Sequence, residues 1–381
     1  MLTDLPLRAI DEINATLAII GYDEAWVLVE QRDDPITRIG QSLFKMARNL
    51  LDQMISDMQL SAKIHVCLVM DKGRDFQACA IRLGEDEYCI MIWLAAAIRT
   101  SASISRILST SVSAEFFSAD FPVSKNQLTS PMGDTFEAYA ALSLLPILDL
   151  GTKLNEFRNQ LDSTALEWLV LHELGHIVNG HLALGKTVNG VTYILEYDLE
   201  ANRNENITHQ ALEMDADCFA NLFCVQGALT RRLSIDQIDT GDEGKRVEKR
   251  LQSYVFAVLA IIRGFDHAPF EIETLFDSDH PPGGVRMGYL LAQMLVMEKE
   301  GKIDFGGVNV KEATGKTAVS LERAISEATG IDGNGGNLLA AFAIGDSFLA
   351  PVLSRWAKVY PELNAAKISP FKLAPPQYEP A

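Results

Sequence analysis

The spacing of apolar residues changes along the chain, and the change predicts where helices and strands lie. From residue 35 to residue 60, apolar side chains recur at every third or fourth position, which is the period of an amphipathic helix. Residues 63–70, KIHVCLVM, and two further apolar runs on either side of Gly84 are typical of strands, and the turn between those two runs makes them a hairpin. The first part of the chain therefore predicts a small mixed sheet beside helices.

One helix in the middle of the chain is predicted to be buried. Residues 162–182 are apolar around most of the helical circumference, whereas a surface helix keeps a polar face. Asp162 is a cap-type residue at its start, and Asn179 with Gly180 is a typical helix end. More helices are expected at about residues 208–231, 246–263 and 284–300. The predicted fold class is α+β, mainly helical, with a small mixed β-sheet.

The length of 381 residues is enough for two or three domains at about 150 residues each. We divide the chain into three parts: residues 1–155, an N-terminal α/β region with the hairpin; residues 156–300, a helical catalytic domain; and residues 301–381, a helical region with a proline-rich tail. The last 21 residues hold five of the 14 prolines, a composition that predicts an extended end.

Composition and charge limit the partners and the compartment. The 33 basic and 51 acidic residues give a net charge of −18, and such a charge repels nucleic acid and anionic membranes. No apolar run reaches the roughly 18 residues that a transmembrane segment needs, and the acidic N-terminus does not resemble an export signal. Five cysteines without a CxxC pair favour free thiols over disulfides, so we expect a cytoplasmic protein.

The predicted buried helix contains the motif HExxH, written HELGH at residues 172–176. Because an α-helix has about 3.6 residues per turn, His172 and His176 lie on one face with about 5–6 Å between their Cβ atoms. Two imidazoles at that spacing can hold one Zn²⁺ ion. Glu173 lies beside them around the helix, where it can act as the general base that takes a proton from a zinc-activated water.

A third metal ligand has to come from another segment. The candidates are the acids downstream of the motif, Glu196, Glu200, Glu205, Glu213, Asp215 and Asp217. We favour Glu213, with Glu196 next, because Glu213 and Asp217 are four residues apart and share a predicted helix face. The first can bind the metal while the second accepts the outer N–H of a ligand histidine. His209 shares this face and is a weaker candidate for such a supporting contact, since a cap or a solvent-facing position explains it more simply.

His181 follows the HExxH motif but is not expected to bind the metal. It lies nine residues after His172, which on a continuous helix places it on the opposite face. The metzincin pattern HExxHxxGxxH is also absent, because Asn179 and Leu182 stand where that pattern needs glycine and histidine. We therefore expect a cap or surface role for His181.

A third motif, HPPGGVR, occupies residues 280–286. Its proline and glycine pairs predict a turn that opens a helix. Such a turn can present His280 towards a cleft, where it or Arg286 stabilises the negative charge that develops on a substrate oxygen. A helix-entry loop with a surface histidine is nearly as good an interpretation from the sequence alone.

The three ordered motifs, HELGH, EMDADCFA and HPPGGVR, resemble those of the gluzincin metallopeptidases typified by the CAAX prenyl endopeptidase and the HtpX heat-shock protease. The resemblance implies a zincin-like fold and a Zn²⁺ site. The roles it implies are zinc ligands at His172, His176 and Glu213, a general base at Glu173, a supporting carboxylate at Asp217, and cleft residues at His280 and Arg286. It also implies that one edge of the hairpin around Gly84 aligns the substrate.

Two departures from that family are informative. The best-known relatives are membrane proteins, whereas this chain has no spanning segment, so membrane-bound substrates are not implied. The interval of 37 residues between His176 and Glu213 is closer to that of HExxH proteins of the ImmA/IrrE type. A weaker similarity, confined to HELGH and ALEMDADCFA, relates the chain to Lit-type phage-exclusion peptidases.

The sequence thus predicts a soluble zinc-dependent endopeptidase of the gluzincin type that acts on a protein or peptide substrate. The alternative is a non-catalytic or single-partner regulatory or phage-defence HExxH protein. Structural zinc sites usually have four protein ligands, whereas catalytic sites leave one position open. Three evident ligands and an intact Glu173 favour the enzyme.

Overall fold

The computed structural model describes residues 3–22, 24–29, 35–72, 76–117, 143–188, 190–195, 203–234, 242–265, 275–278, 280–330 and 345–376. Within these ranges the chain forms ten helices and one six-stranded sheet. The helices are α1 Leu7–Ile19, α2 Pro35–Met58, α3 Leu94–Leu108, α4 Ser111–Phe117, α5 Thr152–Val178, α6 Arg203–Thr230, α7 Glu243–Phe265, α8 Gly283–Lys299, α9 Val310–Thr329 and α10 Gly345–Ala366. The strands are β1 Ala25–Val27, β2 Lys63–Asp71, β3 Ala78–Arg82, β4 Glu87–Trp93, β5 Lys186–Val188 and β6 Val191–Leu195.

The sheet is mixed, with strand order β1-β2-β4-β3-β6-β5. Strands β2 and β4 are parallel, and the other neighbours are antiparallel. The predicted hairpin is confirmed: β3 pairs with β4 across the turn that contains Gly84. The fold is therefore α+β and mainly helical with a small mixed sheet, as the apolar pattern predicts.

The expectation that one edge of the hairpin aligns a substrate is wrong. Strand β4 pairs with β2 along its whole length on the side away from β3. Strand β3 pairs with β6 on its other side, from Cys79 to Arg82. Both hairpin strands are interior, and the terminal strands of the described sheet are β1 and β5. Pairing with β6 depends on residues more than a hundred positions later, which the local pattern of the hairpin does not reveal.

The two faces of the sheet belong to different layers of the core. Side chains alternate along a strand, so Val66 and Ile90 pack with the large helical cluster while Cys67 and Cys89 pack with α1 on the opposite face. The helix that carries HExxH, α5, lies against β3 and β4 on the large-cluster side. This arrangement buries the motif between the sheet and the neighbouring helices.

Helix α5 is buried as predicted, but it begins ten residues earlier than expected. It starts at Thr152, after Gly151 with φ 82°, so Asp162 lies within the helix instead of capping it. The segment 152–161 is amphipathic, with Phe157 and Leu161 buried. Because its outer face is polar, it does not share the all-round apolar pattern that predicts the rest of the helix. Inside the helix, Asp162 accepts a hydrogen bond of 2.7 Å from the hydroxyl of Ser101 on α3.

The remaining helices follow the predicted pattern closely. The expected segments 208–231, 246–263 and 284–300 correspond to α6, α7 and α8. The described part of the tail, residues 367–376, contains no helix or strand. Residues 331–344 and the last five residues lie outside the described residues. The division at residues 155 and 156, which fall inside α5, stays a prediction.

None of the described helices combines the length and the apolar character that a membrane crossing requires.

Candidate metal centre

Helix α5 brings the two motif histidines together on one face. The Nε2 atoms of His172 and His176 are 3.1 Å apart, and the two residues are 0% and 1% exposed. Residues four apart on an α-helix lie one above the other, so this proximity follows directly from the spacing in HExxH. Glu173, between them in sequence, is also fully buried.

Gly175 allows α6 to approach α5 closely enough to complete the group. A Cβ atom on Gly175 would lie 3.2 Å from the Cα of Ala216 and 3.3 Å from the Cβ of Phe219, both on α6. At this close crossing, the Glu213 carboxylate faces the two histidines: Oε2 is 3.2 Å from the Nε2 of His172, and Oε1 is 3.2 Å from the Nε2 of His176. The glycine of HELGH therefore serves the packing of the two helices.

The three side chains form a group that fits a metal ion. His172, His176 and Glu213 each offer one donor atom, all within 4.8 Å of one another, and all three side chains are buried. A tetrahedral Zn²⁺ ion with ligand bonds of about 2.0–2.1 Å separates its donors by about 3.3 Å, close to the separations found here. Of the two favoured candidates for the third ligand, Glu213 belongs to this group, whereas Glu196 lies outside the described residues.

The electrostatics of the group favour the protonation states that bind a cation. Burial lowers the pKa of His176 to about 4, although Glu213 opposes the shift, so this imidazole is neutral near pH 7. Burial alone raises the pKa of Glu213, but the charges of His280, His172 and His176 outweigh it and hold that pKa well below its ordinary value. A neutral imidazole and an ionised carboxylate are the forms that ligate metals.

Asp217 contacts the outer nitrogen of His172. Its Oδ1 lies 2.8 Å from the Nδ1 of His172, on the side of the ring opposite the metal group. Arg286 donates two hydrogen bonds to the same carboxylate, and the hydroxyl of Tyr289 donates another. Tyr289 lies outside the three sequence motifs. Its position three residues after Arg286 on the same face of α8 was the available signal.

His280 of the HPPGGVR segment lies beside Glu213, so the alternative interpretation, in which His280 is a surface histidine, is wrong. His280 is 8% exposed, and its Nε2 lies 3.2 Å from Oε2 of Glu213. The side-chain amide of Gln210 on α6 fixes the preceding loop by donating to the carbonyls of Leu275 and Ser278. The backbone N–H of His280 also donates to the hydroxyl of Ser278, so side-chain contacts tie His280 to the described residues before it.

Arg286 and His172 both pack against the indole ring of Trp168. The guanidinium of Arg286 lies 5.5 Å from the ring centre of Trp168, and that indole stacks on His172 with 5.4 Å between ring centres. Trp168 is one helical turn before His172 on α5. Cation–π and stacking contacts of this kind restrict the rotation of both partners.

His181 is not on the opposite face of α5, and this expectation is wrong. The helix ends at Val178, Gly180 has φ 82°, and a 3₁₀ turn at His181–Leu184 returns the chain towards the metal group. The ring is fully buried, with Nδ1 3.0 Å from the Nδ1 of His176 and Nε2 3.1 Å from Oδ2 of Asp215. The prediction from the nine-residue spacing failed because it assumed that the helix continues to His181, whereas the helix ends at Val178.

His209 lies one turn before Glu213 on α6 and is partly exposed. It is not a member of the three-residue group identified among the described residues. Its supporting role therefore stays a prediction.

Comparison with known proteins points to the same segment. Residues 150–304 match the model of a peptidase family described as Peptidase U49. This range runs from just before α5 to just after α8 and contains all the residues of the candidate metal centre described above. No curated protein and no solved structure matches the chain. The family match, together with a buried group suited to a metal ion, supports a peptidase.

Proposed function

We propose that the protein is a zinc-dependent endopeptidase of the gluzincin type, acting on a protein or peptide substrate. The observation that carries the proposal is the buried group of His172, His176 and Glu213, with donor separations of 3.1–3.2 Å. Glu173, the required base, lies on the same helix, and the region matches a peptidase family model.

The donor set favours zinc and a catalytic site. Two imidazoles and one carboxylate form a ligand set typical of catalytic Zn²⁺ sites, in which a fourth position stays open. Among the described residues, the group has three members, which leaves that position available. When bound, Zn²⁺ lowers the pKa of water towards about 7 and polarises the scissile carbonyl.

Glu173 performs the proton transfers in this proposal. Its carboxylate accepts a proton from the attacking water and then delivers it to the nitrogen of the leaving amine. Its complete burial excludes bulk water, so its charge acts on the reacting atoms with little screening.

His280 and Arg286 have different roles in this proposal. At 8% exposure, His280 is more accessible than the three proposed ligands, which are 0–1% exposed, so we place the substrate on its side. Its Nε2 hydrogen stabilises the negative charge that develops on the carbonyl oxygen. The hydrogen bonds of Arg286 go to Asp217, so we assign Arg286 to the orientation of His172.

The substrate backbone is proposed to add to strand β5. This strand is terminal in the described sheet and follows the 3₁₀ turn that carries His181. An extended peptide that pairs with a terminal strand gains main-chain hydrogen bonds regardless of its side chains. Strand β5 takes the place of the hairpin edge as the proposed substrate-binding strand, because β6 already pairs with β3 of the hairpin.

Metal analysis and a cleavage assay test the function. We expect one zinc ion per purified chain by mass spectrometry, and loss of that ion in Glu213→Ala. A quenched fluorogenic peptide library should be cleaved by the zinc-loaded chain and not after chelation. A chain without zinc would refute the metal centre. A zinc-loaded chain that cleaves nothing would favour the alternative, a non-catalytic or single-partner regulatory or phage-defence protein, for which the metal-free chain is the bait in a pull-down.

A further inference from the structure

The two ligand histidines have different supports on the side of the ring that faces away from the metal group. His172 contacts the carboxylate of Asp217 directly, at 2.8 Å. His176 instead faces a second imidazole, His181, which in turn contacts Asp215. Both histidines are therefore connected to a carboxylate: His172 contacts Asp217 directly, and His176 is connected to Asp215 through His181.

We propose that His181 and Asp215 form a relay that orients His176 and strengthens it as a metal donor. They act through His176 and are positioning residues. The inference rests on the metal centre of the proposed function, and it adds to that function an explanation of how His176 is oriented. Outer hydrogen-bond partners of this kind fix the tautomer and the ring plane of a metal-binding histidine.

The positions of the ring hydrogens follow from the arrangement of the atoms. A neutral imidazole carries one N–H and one lone pair, and a nitrogen that binds a metal uses the lone pair. His176 presents Nε2 to the group, so its hydrogen lies on Nδ1, 3.0 Å from Nδ1 of His181. That nitrogen of His181 then accepts, and the hydrogen of His181 lies on Nε2, where it donates to Oδ2 of Asp215 at 3.1 Å.

His181 is not itself a ligand. Its Nδ1 faces the Nδ1 of His176, whereas the donor atom of that ligand is Nε2. Consistent with this geometry, His181 is not a member of the group that fits a metal ion.

The surroundings hold the relay in one arrangement. Oδ2 of Asp215 also accepts a hydrogen bond of 2.6 Å from the side-chain amide of Asn179, which directly follows α5. The ring of Trp356 on α10 approaches His181 edge-on, with 6.5 Å between ring centres. The turn itself needs Gly180, because φ is 82° and a Cβ atom would lie 2.7 Å from the backbone nitrogen of Lys367. A fully buried histidine requires partners for both ring nitrogens, and this arrangement supplies them.

Two substitutions at His181 separate a relay from simple packing. His181→Leu keeps an apolar side chain of similar bulk and removes both hydrogen bonds. His181→Gln keeps an acceptor for His176 and a donor for Asp215. The matched control is His65→Leu, because His65 is also buried and contacts two carboxylates, those of Asp4 and Glu87, on the sheet face opposite α5.

The primary measurement is the zinc dissociation constant by competition with a chromophoric chelator, on the full chain. We expect His181→Leu to weaken zinc binding by about 10–100-fold. His181→Gln should recover most of this loss, and His65→Leu should leave the zinc dissociation constant within about threefold of the wild-type value. Unfolding of the metal-free variants in urea records the packing cost separately.

A spectroscopic measurement checks the hydrogens directly. In long-range ¹H–¹⁵N spectra of the zinc-loaded chain labelled at histidine, we expect Nδ1 of His176 to be protonated and Nδ1 of His181 to be an unprotonated acceptor. A protonated Nδ1 on His181 would overturn the relay.

The outcomes distinguish the relay from the function on which it rests. If the wild-type chain binds no zinc, both the proposed function and the relay fail. If the wild-type chain binds zinc and His181→Leu binds it equally tightly, the relay fails while the proposed function stands. An equal loss of zinc affinity in His181→Leu and His181→Gln would also overturn the relay. Gln retains the two hydrogen bonds and Leu does not, so equal losses would mean that these hydrogen bonds do not contribute to zinc binding.

Discussion

Arg286 and Asp217 form a buried ion pair with two hydrogen bonds, 2.8 Å from Nε to Oδ2 and 2.7 Å from Nη2 to Oδ1. Burial alone raises the pKa of Asp217, but the charge of Arg286 and the contact with His172 outweigh it and bring that pKa below its ordinary value. The carboxylate is therefore ionised and able to accept the N–H of His172. The pair joins the three sequence motifs into one unit.

We predict that stability and metal affinity respond differently when this pair is removed. Asp217→Leu leaves the Arg286 charge buried without its partner and should lower the free energy of unfolding by about 3–5 kcal/mol. The double variant Asp217→Leu/Arg286→Met should regain only part of that loss, because the apolar pair removes the buried charge but His172 and Tyr289 still lose their acceptor. Both variants should bind zinc about 10–100-fold more weakly, because His172 loses its acceptor. Urea unfolding and chelator competition measure the two quantities, and full zinc affinity in the double variant would contradict the orienting role.

Glu173→Gln tests the general base. The amide has nearly the shape of the carboxylate but cannot accept the proton from water, so cleavage of the peptide library should fall by about 10²–10⁴-fold. Zinc content should stay at the wild-type level, because Glu173 is not in the ligand group. An unchanged cleavage rate would remove Glu173 from the mechanism.

His280→Ala tests the proposed stabilisation of the carbonyl oxygen. Loss of one donor of this kind should lower kcat by about 10²–10³-fold, while KM changes little. The measurement is steady-state cleavage of one peptide selected from the library, with zinc content determined on the same sample. A rise in KM at constant kcat would show instead that His280 contributes to substrate binding alone.

Gly175→Ala should loosen the crossing of α5 and α6. The added Cβ would lie 3.2 Å from the backbone of Ala216, so the helices have to separate slightly, at a cost of about 1–3 kcal/mol. Zinc affinity should fall as well, because Glu213 moves with α6. Gly227→Ala is the matched control on α6: a Cβ added there would meet no atom of another element within 4 Å, and helix propensity alone should stabilise the variant by up to about 1 kcal/mol. Equal effects of the two substitutions on zinc binding would contradict the close-packing role of Gly175.

Asp162 gives the fold a pH dependence separate from the metal centre. Burial raises its pKa to about 7, although the hydroxyl of Ser101 and the charge of Arg158 oppose the shift. The folded protein then holds a proton that the unfolded chain has already lost, so the stabilisation is complete below about pH 4 and is lost as the pH rises through about 7. Because the side chain is 15% exposed and reaches some water, we expect the loss between about pH 5.5 and about pH 8 to be about 1 kcal/mol.

The control for this prediction is Asp162→Asn, which can still accept the hydrogen bond from Ser101. The free energy of unfolding in urea, measured at both pH values, should decrease more for the wild type than for the Asn variant. Identical pH dependence in the two proteins would mean that Asp162 is ionised throughout.

The sequence was most informative where a contact lies within one element. His172 and His176 are one helical turn apart, and the hairpin strands β3 and β4 are joined by a short turn, so both arrangements could be predicted from local geometry. The choice of Glu213 also followed from its spacing to Asp217 on one helix face. The start of α5 was misplaced because its first ten residues have a polar face, which resembles a surface segment.

The residues that sequence analysis missed are those whose contacts depend on where an element ends or what packs against it. Tyr289 reaches Asp217 from a helix 72 positions later in the chain, and His181 reaches His176 because the chain leaves α5 at Val178. The pairing of β3 with β6 is of the same kind, since a strand does not encode the identity of its second neighbour.

The sequence by itself determined which side chains are available for the proposed chemistry: a histidine pair with a neighbouring glutamate on a buried helix, and an acid pair on a second helix. The tertiary structure decided which carboxylate faces the histidines, which residues hold their outer nitrogens and which strand ends the sheet. The physical reason is that helical and strand periods fix relations over a few residues, whereas relations between elements depend on close packing, such as the approach of α6 to Gly175.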